Sequence, residues 1–198
     1  SFPLGYWNAV GICAGAAISF SVWFACNTDH RWRRSAAVAM ATLATITLYL
    51  TYSRGGLLVC LISLLVLLCL SRKRVRVLVT GVIAIASAAP VLLVIDGYPE
   101  IAGSGAGNPD WGESLAVAAV ILGGLALAVL LLEAAIRLAR RFPRASNRVL
   151  AASRDRHNLL AFGAAGLGLI LLLVLLFGNT AWEQFSDSDI QFNPDGKE

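Results

Sequence analysis

The segment GGLLVCLISLLVLLCL, residues 55–70, decides the fold because it is apolar apart from Ser63 and contains no ionised side chain. A membrane-spanning β-strand needs about ten residues that alternate between apolar and polar, and the run Leu64–Leu70 does not alternate. An α-helix satisfies its own backbone groups in lipid, where no water is present to do so. The segment therefore predicts a membrane helix.

The composition of the whole chain extends this prediction beyond one helix. Of the 198 residues, 58% are hydrophobic and only 14% are charged, and the mean hydropathy is +0.72. A soluble domain carries about 25% charged residues, and a disordered chain is poor in apolar residues. The composition excludes disorder and argues against a soluble globule, which leaves a membrane protein.

Apolar runs that could cross the hydrocarbon core, or nearly cross it, recur along the chain. The runs cover residues 9–26, 35–52, 55–70, 77–95, 115–132 and 159–177, and none contains an ionised side chain. We therefore predict an all-α, polytopic membrane helix bundle with about six transmembrane helices. In this prediction residues 1–198 are the central part of one membrane domain, and residues 178–198 begin an external loop.

Charged residues between the runs predict which side of the membrane each connector occupies. Basic residues concentrate in segments 27–34, 71–76 and 133–157, whereas acidic residues concentrate in segments 96–113 and 178–198. Cytoplasmic connectors carry an excess of Lys and Arg, so both termini are predicted to lie outside. Because the basic charge follows one predicted membrane face, the pI of about 9.1 does not indicate a nucleic-acid partner.

Arg54 departs from this charge pattern because it lies near a predicted external helix start. A guanidinium has a fixed fork of donors that suits phosphate oxygens, and Ser53 adds a hydroxyl group. Gly55 and Gly56 remove side-chain bulk, so that a ligand or another backbone can approach, and a helix N-terminus favours an anion. These residues predict an anion site at the outer interface. An arginine that extends to lipid headgroups explains the position of Arg54 equally well.

A second set of candidate residues precedes the first run, in the segment FPLGYWNA at residues 2–9. Its Pro and Gly indicate a turn, and Asn8 could cap the helix that follows. Trp7 is placed as an interfacial anchor. A capped helix start explains the segment structurally, and Asn8 and Trp7 are also candidates for lining the anion site.

Cysteines and histidines form no catalytic or metal-binding pattern in the sequence. The cysteines lie in or at the ends of apolar runs without metal-ligand spacing, and the histidines lie in basic connectors. These residues are Cys13, Cys26, Cys60, Cys69, His30 and His157. We therefore predict no metal and no cofactor, and the residues suggest no catalytic base or nucleophile.

Two motifs occur in a characteristic order along the chain. P-L-G-Y-x-N-A at residues 3–9 leads into one run, and T-x-S-R-G-G at residues 51–56 opens another run two spans later. This arrangement resembles the O-antigen ligase and O-antigen polymerase superfamily, whose members are multispan bacterial envelope enzymes. The stretch WEQF at residues 182–185 also resembles the segment that leads into the large external loop of that family.

This resemblance implies a glycosyltransferase of the bacterial cytoplasmic (inner) membrane. In the family, a glycan moves from a polyprenyl diphosphate carrier to an acceptor at the outer face, without a metal or a nucleotide sugar. The resemblance implies that Arg54 binds the diphosphate, with Ser53, Gly55 and Gly56 beside it. Ligase and polymerase activity both fit these residues, and the acceptor is open.

Other functional residues of the family, including a histidine proposed as base, lie on its large external loop. That loop would follow Glu198, so the sequence is expected to be a central fragment that is inactive alone. Two alternatives belong to other classes. A transporter or permease would need polar groups near mid-membrane, and a non-catalytic envelope-assembly protein would tolerate substitution of Arg54.

Overall fold

The computed structural model describes residues 5–51, 53–71, 73–96 and 111–142, with the backbone alone at 5–8, 96 and 113. These residues form five helices and contain no strand, which confirms the all-α prediction for this part of the chain. The helices are α1 Gly5–Asn27, α2 Arg31–Leu50, α3 Arg54–Leu70, α4 Arg74–Asp96 and α5 Trp111–Arg141.

Each of the first five predicted apolar runs falls on a helix of its own. Beyond its apolar run, which ends at residue 132, the sequence predicts that residues 133–141 continue the fifth helix until Pro143 stops it, and α5 does extend through Arg141. The helix continues because Glu, Ala, Leu and Arg all favour a helix, although several of them are too polar for the lipid interior. The sixth run, 159–177, and the external loop at 178–198 lie outside the described residues.

Three segments of the described helices are long and apolar enough to cross a membrane: Ala9–Asn27, Arg74–Ile95 and Ser114–Arg141. The apolar helix α3 is shorter, at 17 residues. The first turn of α2 carries Arg31, Arg33 and Arg34, which lower its hydropathy at that end. Length and composition of these helices thus support the membrane character that the overall composition predicts.

The helices pack as an antiparallel bundle in which α1 lies against α2 and α3, and α5 lies against α4 and α2. At one end of the bundle Ala25 of α1 and Val38 of α2 share a core with Ala128 of α5. At the other end Ile46 of α2 and Ile95 of α4 form a separate core, against which the first half of α5 packs. Successive helices therefore run in opposite directions.

Pairs of hydroxyl groups join helices inside the bundle. The Ser19 and Ser63 Oγ atoms are 2.6 Å apart between α1 and α3, and Thr42 Oγ1 lies 3.2 Å from Ser87 Oγ between α2 and α4. Both Thr42 and Ser87 are fully buried, so their hydroxyl groups need partners within the protein. Each hydroxyl also lies near a carbonyl of its own helix, so the interhelical bond competes with an intrahelical one.

We expect the Thr42–Ser87 bond to contribute little to stability, because this competition supplies each donor with a second acceptor. A double-mutant cycle with Thr42→Val and Ser87→Ala should give a coupling of about 0.6 kcal/mol, the average for such bonds in membranes. The free energy of unfolding in mixed micelles measures it. The pair Thr47→Val and Ser87→Ala is the control, because the Thr47 hydroxyl donates to Leu43 O in its own helix. A coupling above about 2 kcal/mol would contradict the competition.

Candidate functional site

Basic side chains gather at one end of the bundle. Lys73 Nζ donates to the carbonyl oxygen of Cys26 at 3.1 Å, which joins the start of α4 to the end of α1. Arg31 forms an ion pair with Glu133 at 3.1 Å, which joins the start of α2 to the second half of α5. The remaining arginines lie near the same helix ends: Arg33 and Arg34 in the first turn of α2, Arg74 and Arg76 in the first turn of α4, and Arg137, Arg140 and Arg141 in the last two turns of α5.

Arg54 lies at the opposite end of the bundle, in the first turn of α3. The neighbouring Gly56 contacts Leu48 near the end of α2 and Gly11 near the start of α1. Among the residues that the structure describes, Arg54 is the one Lys or Arg at this end. The side chain is exposed. The charge pattern that set Arg54 apart in the sequence therefore corresponds to a separation in space.

Glycines bring α1 and α3 into backbone contact beside Arg54. A methyl group at Gly56 would lie 2.5 Å from the carbonyl carbon and oxygen of Gly11. A methyl group at Gly15 would lie 2.5 Å from the carbonyl oxygen of Gly56. Only glycine permits this approach, because the obstructing atoms are backbone atoms that cannot rotate away. This contact fixes the start of α3 against the first half of α1.

The two predicted glycines of the anion site have different surroundings. Gly56 is buried against α1, whereas Gly55 is exposed. A methyl group added at Gly55 would lie 4.0 Å from the nearest atom, Ser53 Oγ. The sequence left open whether these glycines admit a ligand or another backbone. At Gly56 the structure shows another backbone, and at Gly55 the space outside the helix is open.

Ser53 caps α3. Its Oγ accepts a hydrogen bond from the backbone N–H of Gly56 at 3.1 Å, and the residue has extended backbone angles, as an N-cap requires. Thr51 ends α2 in a similar way, since its Oγ1 donates to Leu48 O at 2.8 Å. The T-x-S part of the motif therefore has a local structural role, which is to end one helix and begin the next within residues 51–53.

Trp7 and Asn8 lie in the first turn of α1, and Asn8 is three residues before Gly11. The predicted capping role of Asn8 is wrong, because α1 begins at Gly5 and residue 8 is inside the helix. Tyr, Trp and Asn each cost only a fraction of a kcal/mol in a helix, so nothing after Gly5 delays its start. Whether the Asn8 and Trp7 side chains line the site lies outside the described part of the structure.

Sequence reasoning missed Gly11 and Gly15, which hold the site together. Their spacing, G-x-x-x-G, is the pattern that lets two membrane helices approach closely. The signal was therefore present in the sequence. The pattern did not identify the partner helix, however, because it does not say which other helix carries the matching small residue. In the structure that residue is Gly56 of α3.

Comparison with known protein families, with characterised proteins and with solved structures finds no match to this chain. In the described residues the site consists of an exposed guanidinium, a capped helix start and an open surface at Gly55. Such a group can bind an anion and stabilise negative charge, and none of its side chains is suited to act as a general base.

Proposed function

We propose that the chain is a multi-pass protein of the bacterial cytoplasmic membrane that resembles O-antigen ligases. It would transfer a glycan from a polyprenyl diphosphate carrier to an acceptor at the outer face. The proposal includes six spans, both termini outside, and the basic end of the bundle in the cytoplasm. Arg54 would then lie at the outer interface, at the depth of a diphosphate whose polyprenyl chain is in the bilayer.

The observation that carries the proposal is the separation of Arg54 from the other described basic residues, which lie at the opposite end of the bundle. A cation there does not contribute to the positive-inside pattern, so topology does not explain it. The motif segment around Arg54 is also adjacent to α1, whose first residues, 5–9, belong to the other motif. The described parts of the two motifs thus lie on neighbouring helices.

In glycan transfer from such a carrier, the bond between the sugar C1 and a diphosphate oxygen breaks. Negative charge then develops on the diphosphate that leaves, while the acceptor oxygen attacks C1 and loses its proton. A guanidinium placed at the diphosphate stabilises that charge more in the transition state than in the ground state, which lowers the barrier. Arg54 would be the group that supplies this stabilisation, and the residue that removes the acceptor proton is not assigned.

Binding of the carrier tests the proposal without requiring turnover. We expect the chain in lipid nanodiscs to bind a synthetic polyprenyl diphosphate at least tenfold more tightly than the matched polyprenol. A charge-assisted hydrogen bond contributes about 1.5–3 kcal/mol, so Arg54→Gln should weaken diphosphate binding by about tenfold or more and leave polyprenol binding unchanged. Native mass spectrometry of the reconstituted chain measures both ligands.

Arg140→Gln is the matched control for this measurement, because Arg140 is exposed at the opposite end of the bundle, in the last turn of α5. It should leave the affinity for the diphosphate unchanged. Equal binding of polyprenyl diphosphate and polyprenol, or an equal effect of the Arg54 and Arg140 substitutions, would contradict the assignment of the site.

A further inference from the structure

An open groove of about 400 Å³ lies at the basic end of the bundle, between the end of α1 and the start of α2. Its volume falls in the range of about 300–1,000 Å³ that is usual for small-ligand sites. Aromatic side chains of α1 form one wall, and the polar loop with the first turn of α2 forms the other. The lining residues are Trp23, Phe24, Asn27, Thr28, Asp29, His30 and Arg33.

The groove lies where an apolar helix meets a polar loop. α1 contributes one of the segments able to cross a membrane, and that segment ends at Asn27, within the groove. Phe20, one turn further into the helix, lies 5.9 Å from the Trp23 ring and 6.3 Å from the Phe24 ring. All three rings are exposed and form a continuous aromatic surface along α1. A tryptophan near the end of such a helix is typical of the depth at which lipid headgroups and acyl chains meet.

Opposite charges line the polar wall of the groove. Arg33 lies against the Trp32 ring, with its guanidinium carbon 5.3 Å from the ring centroid. Asp29 is exposed on the same wall, and within the described part of the chain its carboxylate makes no hydrogen bond or ion pair. The neighbouring cations Arg34 and Lys73 instead donate to the backbone carbonyl oxygens of Thr28 and Cys26.

We propose that this groove binds the phosphoethanolamine headgroup of a membrane phospholipid. Arg33 would bind the phosphate, and Asp29 would bind the ammonium group, which could also lie over the exposed face of Trp23. One acyl chain would follow the aromatic surface of Phe20 and Phe24 into the bilayer. The headgroup carries one negative and one positive charge, and the groove presents one of each at its polar wall.

The carboxylate is what selects this headgroup over an anionic one. A phosphatidylglycerol headgroup would satisfy Arg33, but it has no positive charge to place beside Asp29. The proposal requires only that α1 lies in a membrane, so it does not depend on glycan transfer or on Arg54. It concerns the end of the bundle opposite to the anion site.

Lipid retention tests the proposal on the purified chain. Native mass spectrometry in detergent would compare phosphatidylethanolamine and phosphatidylglycerol with identical acyl chains. An exposed ion pair contributes up to about 1 kcal/mol, so we expect a three- to fivefold preference for phosphatidylethanolamine. Asp29→Asn should remove this preference by lowering phosphatidylethanolamine binding alone, and Arg33→Gln should weaken both lipids.

Arg140→Gln is the control for a general loss of positive charge at this end, and it should leave the preference between the two lipids unchanged. Free phosphoethanolamine at the same concentration should not displace the lipid, because the acyl chain supplies part of the binding. Equal or tighter binding of phosphatidylglycerol by the unmodified chain would overturn the proposal, whatever the variants do. Displacement by the free headgroup, or an equal effect of Asp29→Asn and Arg140→Gln, would also overturn it.

Discussion

Substitution of Arg54 by lysine is expected to reduce glycan transfer about 100-fold while the amount of protein in the membrane stays the same. Lysine keeps the charge but lacks the planar fork of donors, so the parallel, bidentate pair of hydrogen bonds between a guanidinium and a phosphate is lost. Loss of one preorganised donor to a developing oxyanion costs about 10²–10³ in rate. Folding should be unaffected, because the Arg54 side chain is exposed.

The measurement is made in the organism that carries the gene, with the substitution at the chromosomal locus. Surface polysaccharide and transfer activity of isolated membranes are quantified, and an immunoblot gives the protein level. Arg140→Lys is the matched control at the other end of the bundle and should retain full activity.

Full activity of the Arg54→Lys protein would show that the Arg54 guanidinium does not stabilise the leaving group during transfer. The diphosphate-binding measurement separates the possible reasons. If the carrier still binds in an Arg54-dependent way, the site is a binding site without a role in the transfer step. If it does not, a non-catalytic assembly role becomes the better explanation. Counterflow of a labelled substrate in proteoliposomes, without transfer, would favour a permease.

Local patterns predicted the helices because hydropathy and length are properties of a single segment. The start of α3 is the clearest case, since the sequence placed a helix start at Gly55 and the structure begins the helix at Arg54. The end of α5 was predicted from a different local signal, Pro143 after a stretch of helix-forming residues, because hydropathy indicates only the part that lipid would cover. Its helix continues into a charged stretch that the hydropathy of the run cannot include.

The candidate site was predictable in its charge but not in its packing. That Arg54 is a basic residue apart from the others follows from the sequence alone, and the structure places it at the other end of the bundle. The separate roles of Gly55 and Gly56 did not follow, because they depend on which helix approaches α3. Only the position of Gly11 on α1 shows that one glycine serves packing and the other leaves open surface.

Substitution of Gly56 by alanine should lower the free energy of unfolding by about 2–3 kcal/mol. The added methyl group would lie 2.5 Å from the Gly11 carbonyl carbon and oxygen and 2.8 Å from Leu48 Cδ1. Leu48 could adopt another rotamer, but the α1 backbone could move only by separating the two helices, and overpacking of this kind costs about 1–3 kcal/mol. Unfolding by SDS in mixed micelles, followed by tryptophan fluorescence, measures the change.

Gly55→Ala is the matched control, since it adds the same methyl group one residue away, at an exposed position where the nearest atom is 4.0 Å distant. It should change stability by less than about 0.5 kcal/mol, as surface substitutions do. Equal effects of the two substitutions would contradict the close α1–α3 contact.

The Gly56→Ala and Gly55→Ala variants also test whether the α1–α3 contact positions Arg54. The N–H of Gly56 donates to the Ser53 cap, so a shift of α3 away from α1 would move the cap and the arginine together. Gly56→Ala should then weaken binding of polyprenyl diphosphate to the protein that remains folded, whereas binding of polyprenol should not change. Gly15→Ala should cause the same shift of α3, because its methyl group would lie 2.5 Å from Gly56 O. Loss of stability in both variants with unchanged diphosphate affinity would mean that the glycines serve the bundle alone and that Arg54 is positioned by its own helix.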